Sequence, residues 1–479
     1  MNSTIDKNLP TPLYFQLGQL LKRRIALQGF QIGDRFPTAS ELCKEYDVSM
    51  ITARKAMQDL AREGIIKSAR GQGSVVIKQL RLPTEIKEKS NQRLRITLIP
   101  PLSELCSCPE FKALLKETFP DLTLDVIFKS DNHEATKEFS DADVVMMTDY
   151  DFQELKEKKA IRSFSELGCE EQVAEVRKNF LPEIERITGS EALEYSLPLT
   201  CTPMVLFYNR SLIHQADIVE ETAFSTVSQL VNTSRKLRKS FEIHEIRGTA
   251  PLLIELSKYR RWPLAIYWNK GRVWSKDGRE SLIDSDVAIK SIQWYRDIVE
   301  NQRIAINVFE GGIALESELF RNGKVAMHFG SYPYLRAYET IETFEIGIVP
   351  VPKGETSATL SVQALIGVGA NAENPELAMK FIQFMASEAV QYLILKKRLH
   401  IPTCQKAVDR WLQNDAKPHQ RYHLQVFLNA LNTVVENEYP RDRTRQDYLN
   451  HAMNSLLLDL KSAETICHQI ADTIRKNKF

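Results

Sequence analysis

The chain has 479 residues, of which 43% are hydrophobic and 26% charged, with 19 glycines and 20 prolines. This length predicts more than one domain, and the composition excludes collagen-like, low-complexity and wholly disordered chains. The net charge is +1, yet residues 1–80 carry 12 lysines and arginines against 7 acidic residues. The basic N-terminal segment indicates a domain that meets an anion, joined to a mildly acidic body.

The N-terminal residues lack the apolar segment of a secretory signal, and no apolar run approaches the roughly 20 residues that cross a bilayer. Seven cysteines are scattered along the chain, which is not the pattern of a disulfide framework. We therefore expect a cytoplasmic protein with reduced thiols and no membrane partner.

Three short helices are predicted in the first 63 residues, over 12–28, 38–46 and 49–63. The first helix begins with Pro12 and has leucines at helical spacing. Thr38 and Glu41 stand in the spacing of a capping box at the start of the second helix. Ser49 stands in front of the third helix, and serine is a preferred N-cap residue.

The third helix has two different faces. One is small and apolar and should be buried: Ala53, Ala56, Met57 and Leu60. The opposite side carries Ile51, Arg54, Lys55 and Gln58, with Ser49 and Met50 in the exposed first turn. A strand over 65–68, a glycine turn at 70–73 and a strand over 74–77 then form a hairpin.

Three short helices and a basic hairpin are typical of a winged helix-turn-helix. In this α+β fold the third helix lies in the major groove, and the wing contacts the backbone or the minor groove. On pattern alone, a helical bundle with a charged, solvated face is the alternative.

Residues 10–77 resemble the DNA-binding domain of the GntR family of transcription regulators. The matching residues keep the family's spacing over the whole domain: Pro12-Leu13-Tyr14, Gly29, Gly33, Phe36-Pro37-Thr38, Glu41-Leu42, Val48-Ser49, Thr52-Ala53-Arg54-Lys55-Ala56-Met57, Leu60, Gly64 and Gly71-Gln72-Gly73. Ser40 and Met50 depart from the family, which commonly has arginines there for DNA contacts. The family's common operator sequence is therefore not assumed.

The resemblance implies binding of double-stranded operator DNA with two-fold symmetry by a homodimer. It also implies which residues make the contacts: Thr38, Ser49, Thr52, Arg54, Lys55, Lys67, Arg70, Gly71, Gln72 and Gly73.

The N-terminal domain is predicted to span 1–78 and to be followed by a linker over 79–93, which is charged, nearly aperiodic and contains Pro83. From Leu94 to Phe479 strands alternate with helices, which predicts an α/β body. Its first elements are predicted as strands over 95–100, 122–128 and 143–148 and a helix over 110–118.

Five segments of the body resemble the sugar-type solute-binding proteins of ABC transporters in their order and spacing. They are residues 195–210, residues 268–286, FRNGKVAMHFG at 320–330, GIVPVPKG at 347–354, and residues 374–402. The resemblance implies a two-lobed α/β fold of the periplasmic-binding-protein type that binds a small molecule. Departures lie at positions that line the relatives' ligand cleft, among them Lys270-Gly271 and 359–363, so the ligand is not carried over.

A sugar site needs flat aromatic side chains together with a few carboxylate, amide or arginine partners. Ligands of open parallel sheets bind beyond the carboxyl ends of the strands, where Asp149 and Tyr150 follow a buried strand. Trp268-Asn269 and the Tyr332-Pro333-Tyr334 segment are predicted as turns that line the cleft. The predicted ligand-binding residues are Asp149, Tyr150, Trp268, Asn269, Tyr332, Tyr334, Arg336 and Gln363.

The sequence contains no GxSxG motif, P-loop or CxxC pair. We therefore expect no catalytic activity, no metal site and no cofactor. The rival hypothesis is a GntR-type regulator with a pyridoxal-phosphate aminotransferase-like body, for which Lys258 and Lys276 are weak Schiff-base candidates. The favoured interpretation is a transcription regulator controlled by a small molecule, a sugar or oligosaccharide, bound in the body.

Overall fold

The computed structural model describes residues 13–27, 34–62, 65–69, 73–77, 92–128, 139, 141–256, 261–308, 312–436, 443–458 and 461–476. The chain divides into two compact units, Met1–Ser90 and Asn91–Phe479. The predicted linker lies outside the described residues except for Gln92 and Arg93, which begin the first strand of the second unit.

The N-terminal unit consists of three helices and a three-stranded antiparallel sheet. Its elements are α1 (Leu13–Leu27), β1 (Arg35–Phe36), α2 (Ala39–Tyr46), α3 (Met50–Arg62), β2 (Ile66–Ala69) and β3 (Gly73–Val76), and the strand order is β1-β3-β2. The predicted helices and hairpin are confirmed. Strand β1 was not predicted, because two residues are too short to show an alternating pattern.

The core of this unit forms where α1 meets α3. Leu17 and Leu21 of α1 are fully buried, as are Ala53, Ala56 and Leu60 of α3. The predicted apolar face of α3 is therefore buried, with Met57 packed at the edge of the core. Small alanines allow the two helices to approach closely, and this packing fixes which face of α3 stays in solvent.

The body contains two mixed sheets. The first sheet has the order β5-β4-β6-β14-β7, with β8 also paired to β14, and the second has the order β11-β10-β12-β9-β13. The strands are β4 (Gln92–Leu98), β5 (Leu122–Phe128), β6 (Val144–Thr148), β7 (Ile161–Arg162), β8 (Leu197–Pro203), β9 (Val205–Asn209), β10 (Ala250–Ile254), β11 (Ala305–Asn307), β12 (Val325–Gly330), β13 (Ile346–Pro350) and β14 (Ser361–Gly369).

Helices cover both sheets, so that a strand such as β6 is buried on both faces and is apolar almost throughout. The helices are α4 (Pro109–Thr118), α5 (Asp149–Glu157), α6 (Glu170–Arg177), α7 (Ile184–Thr188), α8 (Ser190–Tyr195), α9 (Arg210–Gln215), α10 (Glu220–Ala223), α11 (Val227–Ile243), α12 (Leu264–Trp268), α13 (Asp286–Arg296), α14 (Gly312–Arg321), α15 (Tyr334–Tyr338), α16 (Pro375–Met385), α17 (Glu388–Lys396), α18 (Gln405–Asn414), α19 (Pro418–Leu431), α20 (Arg443–Ser455) and α21 (Ala463–Lys476).

The chain passes between the two sheets in segments that are hydrogen-bonded to one another. Only Met204 separates β8 from β9, and its N–H donates to the carbonyl of Leu360 at 2.8 Å. Thr359 donates through Oγ1 to the carbonyl of Met204 (2.9 Å) and through its N–H to that of Thr433 (2.9 Å). These three chain segments lie side by side and form the connection between the two lobes. Helices α20 and α21 pack on the second lobe.

Candidate functional site

The start of α2 is held by the predicted capping box. The Glu41 N–H donates to Thr38 Oγ1 at 3.2 Å, and the Thr38 N–H donates to Glu41 Oε2 at 2.6 Å. The backbone and side-chain hydrogen bonds from Thr38 lower the pKa of Glu41, and Arg35, 3.1 Å away, acts in the same direction. These hydrogen bonds stabilise the start of α2.

The first turn of α3 uses its hydroxyl groups internally. The Thr52 N–H donates to Ser49 Oγ at 3.1 Å, and the two hydroxyl oxygens lie 2.8 Å apart. Ser49 is thus the N-cap of the helix, as predicted. Its hydroxyl oxygen thus positions the helix, and replacing Ser49 would remove the cap.

Arg54 and Lys55 are exposed on α3, opposite the buried alanines. The Lys55 ammonium lies 5.8 Å from the ring of Tyr14, which holds it against α1. Lys67 is exposed on β2. The predicted contacts at Arg70, Gly71 and Gln72 lie outside the described residues, and Gly73 begins β3.

In the body, Asp149 and Gln363 line one cavity of about 150 Å³, on the first lobe. Thr188 lies beside them and donates from Oγ1 to Gln363 Oε1 at 2.6 Å. Glu436, which follows the connection between the lobes, forms another wall. The cavity therefore joins carboxylate, amide and hydroxyl groups from four separate chain segments, which suits a ligand rich in hydroxyl groups.

Asp149 occupies the first turn of α5, whose N-terminus is closed by a capping box between Thr148 and Asp151. Backbone N–H groups and the helix dipole at this end favour a carboxylate. Tyr150, the next residue, instead packs half-buried against the core of the second lobe. These two neighbours thus contact different lobes.

The predicted turns are confirmed at Asn269 and at Tyr332-Pro333, but the turn predictions for Trp268 and Tyr334 are wrong. Trp268 is the last residue of α12 and Tyr334 the first of α15, and both are buried, as is Tyr332. The reason is packing: Trp268 lies edge-on to Trp294 with ring centroids 5.8 Å apart, and Tyr332 lies edge-on to Phe427 at 5.4 Å. The ligand-binding role of these residues stays a prediction.

Two of these buried aromatic residues have polar atoms that the described part of the chain leaves without a hydrogen-bond partner, the indole N–H of Trp268 and the hydroxyl of Tyr332. Leaving such a group unpaired costs about 1–3 kcal/mol. By contrast, the hydroxyl of Tyr334 is bonded to Arg261 and Glu316, and the Asn269 amide donates to Ala265 O and Ser291 Oγ.

Arg336 lies elsewhere, at a separate cavity of about 420 Å³. Its guanidinium pairs with Glu104 at 2.6 Å, and the neighbouring cations Lys397 and Arg398 pair with Glu110 and Glu339 at 2.8 and 2.6 Å. The structure therefore brings together Asp149 and Gln363 but not Arg336.

A buried ionic cluster in the second lobe escaped the sequence analysis. Arg261 donates to Glu316 Oε2 and to the hydroxyl of Tyr334, each at 2.9 Å, and Glu316 is fully buried. Burial disfavours the charge on Arg261, but Glu316 and its neighbours outweigh this and raise the pKa of Arg261. No local pattern marks these residues, because 55 positions separate the two partners in the sequence.

His328 lies next to this cluster and is neutral. Burial, assisted by Arg261, lowers the pKa of His328 to about 3. Its Nδ1 donates to the carbonyl of Phe329 at 3.2 Å, so that Nε2 accepts from the Tyr338 hydroxyl at 2.7 Å.

Among the described residues, no group of three or more histidines, cysteines or acidic residues could hold a metal ion. Lys276 is exposed in a turn, and Lys258 lies outside the described residues. None of the described helices is both long enough and apolar enough to span a bilayer.

Comparison with known proteins gives two family matches. Residues 109–392 match the model of the bacterial extracellular solute-binding proteins, and residues 13–76 match that of the bacterial regulatory proteins of the gntR family. An HTH-type transcriptional repressor of Salmonella typhimurium is 40% identical over 72 residues, 15% of this chain and 30% of the relative. The chain thus spans about a third of the length of the curated relatives it matches.

Solved structures resemble the body in fold. The GacH receptor of Streptomyces glaucescens, determined unliganded and with acarbose, has a TM-score of 0.64 and 17% identity, covering 80% of this chain and 98% of the receptor. An ABC substrate-binding protein of Listeria monocytogenes in complex with cycloalternan has a TM-score of 0.67 and 17% identity, with coverage of 80% and 98%. The two-lobed fold is therefore established, and it is not the aminotransferase-like body of the rival hypothesis.

Proposed function

Because the chain belongs to the family of bacterial extracellular solute-binding proteins through its body and carries a gntR-family winged helix at its N-terminus, we propose that it is a transcription regulator controlled by a small molecule. The winged helix binds operator DNA, and the body binds a sugar or oligosaccharide. The observation that carries the proposal is the presence of both folds in one chain. A receptor joined to a DNA-binding domain reports on its ligand by changing DNA affinity.

Support for the DNA-binding half comes from the exposed face of α3. The Ser49 hydroxyl caps the helix, and the cations Arg54 and Lys55 project from the face that the core leaves in solvent. Lys67 adds a positive charge on the hairpin. Such a face can pair with phosphates and with acceptor atoms on guanine, and the contacts predicted at Arg70, Gly71, Gln72 and Gly73 would add to it.

Support for the ligand-binding half comes from the polar cavity beside the connection between the lobes. Asp149, Gln363 and Thr188 offer acceptors and donors suited to sugar hydroxyls. At about 150 Å³ the cavity is smaller than the roughly 300–1,000 Å³ of ordinary small-molecule sites. Entry of a sugar would therefore require the lobes to move apart. The indole N–H of Trp268 and the hydroxyl of Tyr332, which have no hydrogen-bond partner among the described residues, are candidates to bind the sugar.

A cytoplasmic location follows from the function, since operator DNA is there. A homodimer would bind a two-fold symmetric operator with one winged helix on each half-site. Movement of the lobes around the hydrogen-bonded connection at Met204 and Thr359 would change the spacing of the two winged helices. Ligand and DNA would then alter each other's affinity by the same factor.

The test uses the full chain. Operator sequences are first selected from random DNA, and sugars are screened by thermal shift, because a ligand of the native state raises the melting temperature. The operator is then titrated with and without the sugar that gives a shift. We expect the sugar to change operator affinity by about 5- to 150-fold, with the reciprocal change in sugar affinity. Equal affinity for random and selected DNA would contradict the regulator function.

Matched variants separate the two halves of the proposal. Arg54→Ala should weaken operator binding and leave the thermal shift with sugar unchanged. Asp149→Asn and Gln363→Ala should weaken sugar binding and leave operator affinity in the absence of sugar unchanged. If both body variants bind sugar as wild type does, the ligand site is not this cavity.

A further inference from the structure

The first turn of α3 presents apolar side chains to solvent. Among the large apolar side chains of the described residues, Ile51 is the most exposed, at 81%, and its neighbour Met50 is 40% exposed. A single exposed apolar residue on a protein surface needs no explanation. The position of this pair needs an explanation, because it lies in the first turn of the helix proposed to enter the major groove.

Helical spacing puts Ile51 on the same face as Arg54, Lys55 and Gln58. The core of the unit lies on the opposite side, with Ala53 and Ala56 fully buried. Core packing therefore does not account for Ile51. Helix propensity does not account for it either, because a β-branched side chain is a poorer helix former than most unbranched ones.

The polar groups of the same turn are already engaged. Ser49 Oγ accepts from the Thr52 N–H at 3.1 Å and lies 2.8 Å from the Thr52 hydroxyl. Beside these hydroxyl groups, the turn offers a base edge the branched hydrocarbon of Ile51 and the thioether of Met50. The nearest exposed cations, Arg54 and Lys55, follow one turn later.

In the major groove only one base presents an apolar feature, the C5-methyl group of thymine. From this match we infer that Ile51, flanked by Met50, contacts a thymine methyl in each half-site and is a specificity-determining residue. The inference rests on the proposed function, because it requires α3 to lie in the major groove.

The experiment removes the methyl group without changing the base pair. The full chain first selects its operator from random DNA, and each thymine of that operator is then replaced, one at a time, by deoxyuridine. For the wild type we expect one position in each half-site at which affinity falls roughly fourfold, the effect of one methyl group losing its apolar contact. Ile51→Ala should lower affinity for the thymine operator by a similar factor and should be indifferent to deoxyuridine at that position.

Ile243→Ala is the matched control, because it removes another exposed isoleucine, 65% exposed, from the body. It should keep both the wild-type affinity and the wild-type loss with deoxyuridine. The inference is overturned if no thymine position depends on its methyl group, or if the loss persists undiminished in Ile51→Ala. In either case sequence-specific binding would remain and the proposed function would stand, whereas absence of any selected sequence would refute both.

Discussion

The two units of this protein present their functional side chains in opposite ways. In the N-terminal unit the candidate cationic DNA contacts Arg54, Lys55 and Lys67 are exposed, and Arg54 and Lys55 lie on a single helix of 13 residues. In the body the candidate ligand contacts are mostly buried, come from distant segments and are hydrogen-bonded to other side chains. A change at one of these exposed cations should therefore affect binding alone, whereas a change in the body risks the fold.

The difference follows from the ligands proposed for each unit. DNA is a large, rigid anion that comes to the protein surface, so its partner needs an exposed basic face. A sugar is small and must be surrounded to lose its water, so its partner needs a concave site assembled from several elements.

The largest effect should come from the buried ion pair of the body. Arg261→Met removes the charged partner of the buried Glu316 carboxylate and leaves it the hydrogen bond from the Tyr334 hydroxyl, which should cost about 3–5 kcal/mol of unfolding free energy. Replacing both residues, with Glu316→Leu, should restore most of that loss. Because all five tryptophans lie in the body, urea unfolding followed by tryptophan fluorescence measures this unit selectively.

The control for this pair is Arg336→Met, which breaks the exposed pair with Glu104. Solvent screens such pairs, so the expected loss is below about 1 kcal/mol. Equal losses for the buried and the exposed pair would refute the view that burial makes the body's polar groups interdependent.

On α3, Arg54→Ala should cost about 1–3 kcal/mol of binding to the selected operator if Arg54 contacts a base. Arg70→Ala should weaken binding to all sequences alike if it contacts phosphate. Neither variant should change the unfolding of the body. Gel-shift titrations at two salt concentrations distinguish the two roles, and an operator-specific loss for Arg70→Ala would reverse the assignment.

Mild acid should destabilise the body but not the N-terminal unit, which contains no histidine up to residue 90. Burial lowers the pKa of His328 to about 3 and that of His423 to about 4. Below the pH of about 6.5 at which an unfolded histidine is protonated, the unfolded chain binds protons that the native state does not. Stability is thus fully present above pH 6.5 and falls by about 1.4 kcal/mol per pH unit for each histidine down to its native pKa.

Tryptophan-detected unfolding at pH 7.5, 6.0 and 5.0 checks this slope. His423→Gln should reduce the pH dependence of the unfolding free energy by the contribution of one histidine, about 1.4 kcal/mol per pH unit. Parallel pH dependence of wild type and variant would show that His423 does not titrate as its burial implies.

The smallest effect concerns the capping box of α2. Thr38→Ala removes the acceptor for the Glu41 N–H and should cost about 1 kcal/mol in the N-terminal unit. Thr38→Ser keeps the hydroxyl and should cost less. Hydrogen exchange of the amides in α2 measures the change, and the body should exchange as in wild type.

Local sequence signals predict almost all of the described elements of the N-terminal unit. Capping residues, helical periodicity and the glycine turn act over a few positions, so they specify α2, α3 and the hairpin and also which face of α3 is exposed. Only the two-residue β1 was missed. The same local signals located β5 and β6 in the body, and the order of its longer motifs indicated two lobes.

Only the tertiary structure decided where the candidate ligand site lies. Asp149 and Gln363 were chosen from their sequence context and share a cavity, but Thr188 and Glu436 beside them had no distinguishing pattern. Trp268 and Tyr334 belong to short helices, although turn residues around them predicted loops, because packing of their rings stabilises conformations that local propensity does not favour. Arg261 pairs with Glu316 because the folding of one lobe brings together two charges that are far apart in the chain. No short-range sequence pattern predicts such a contact.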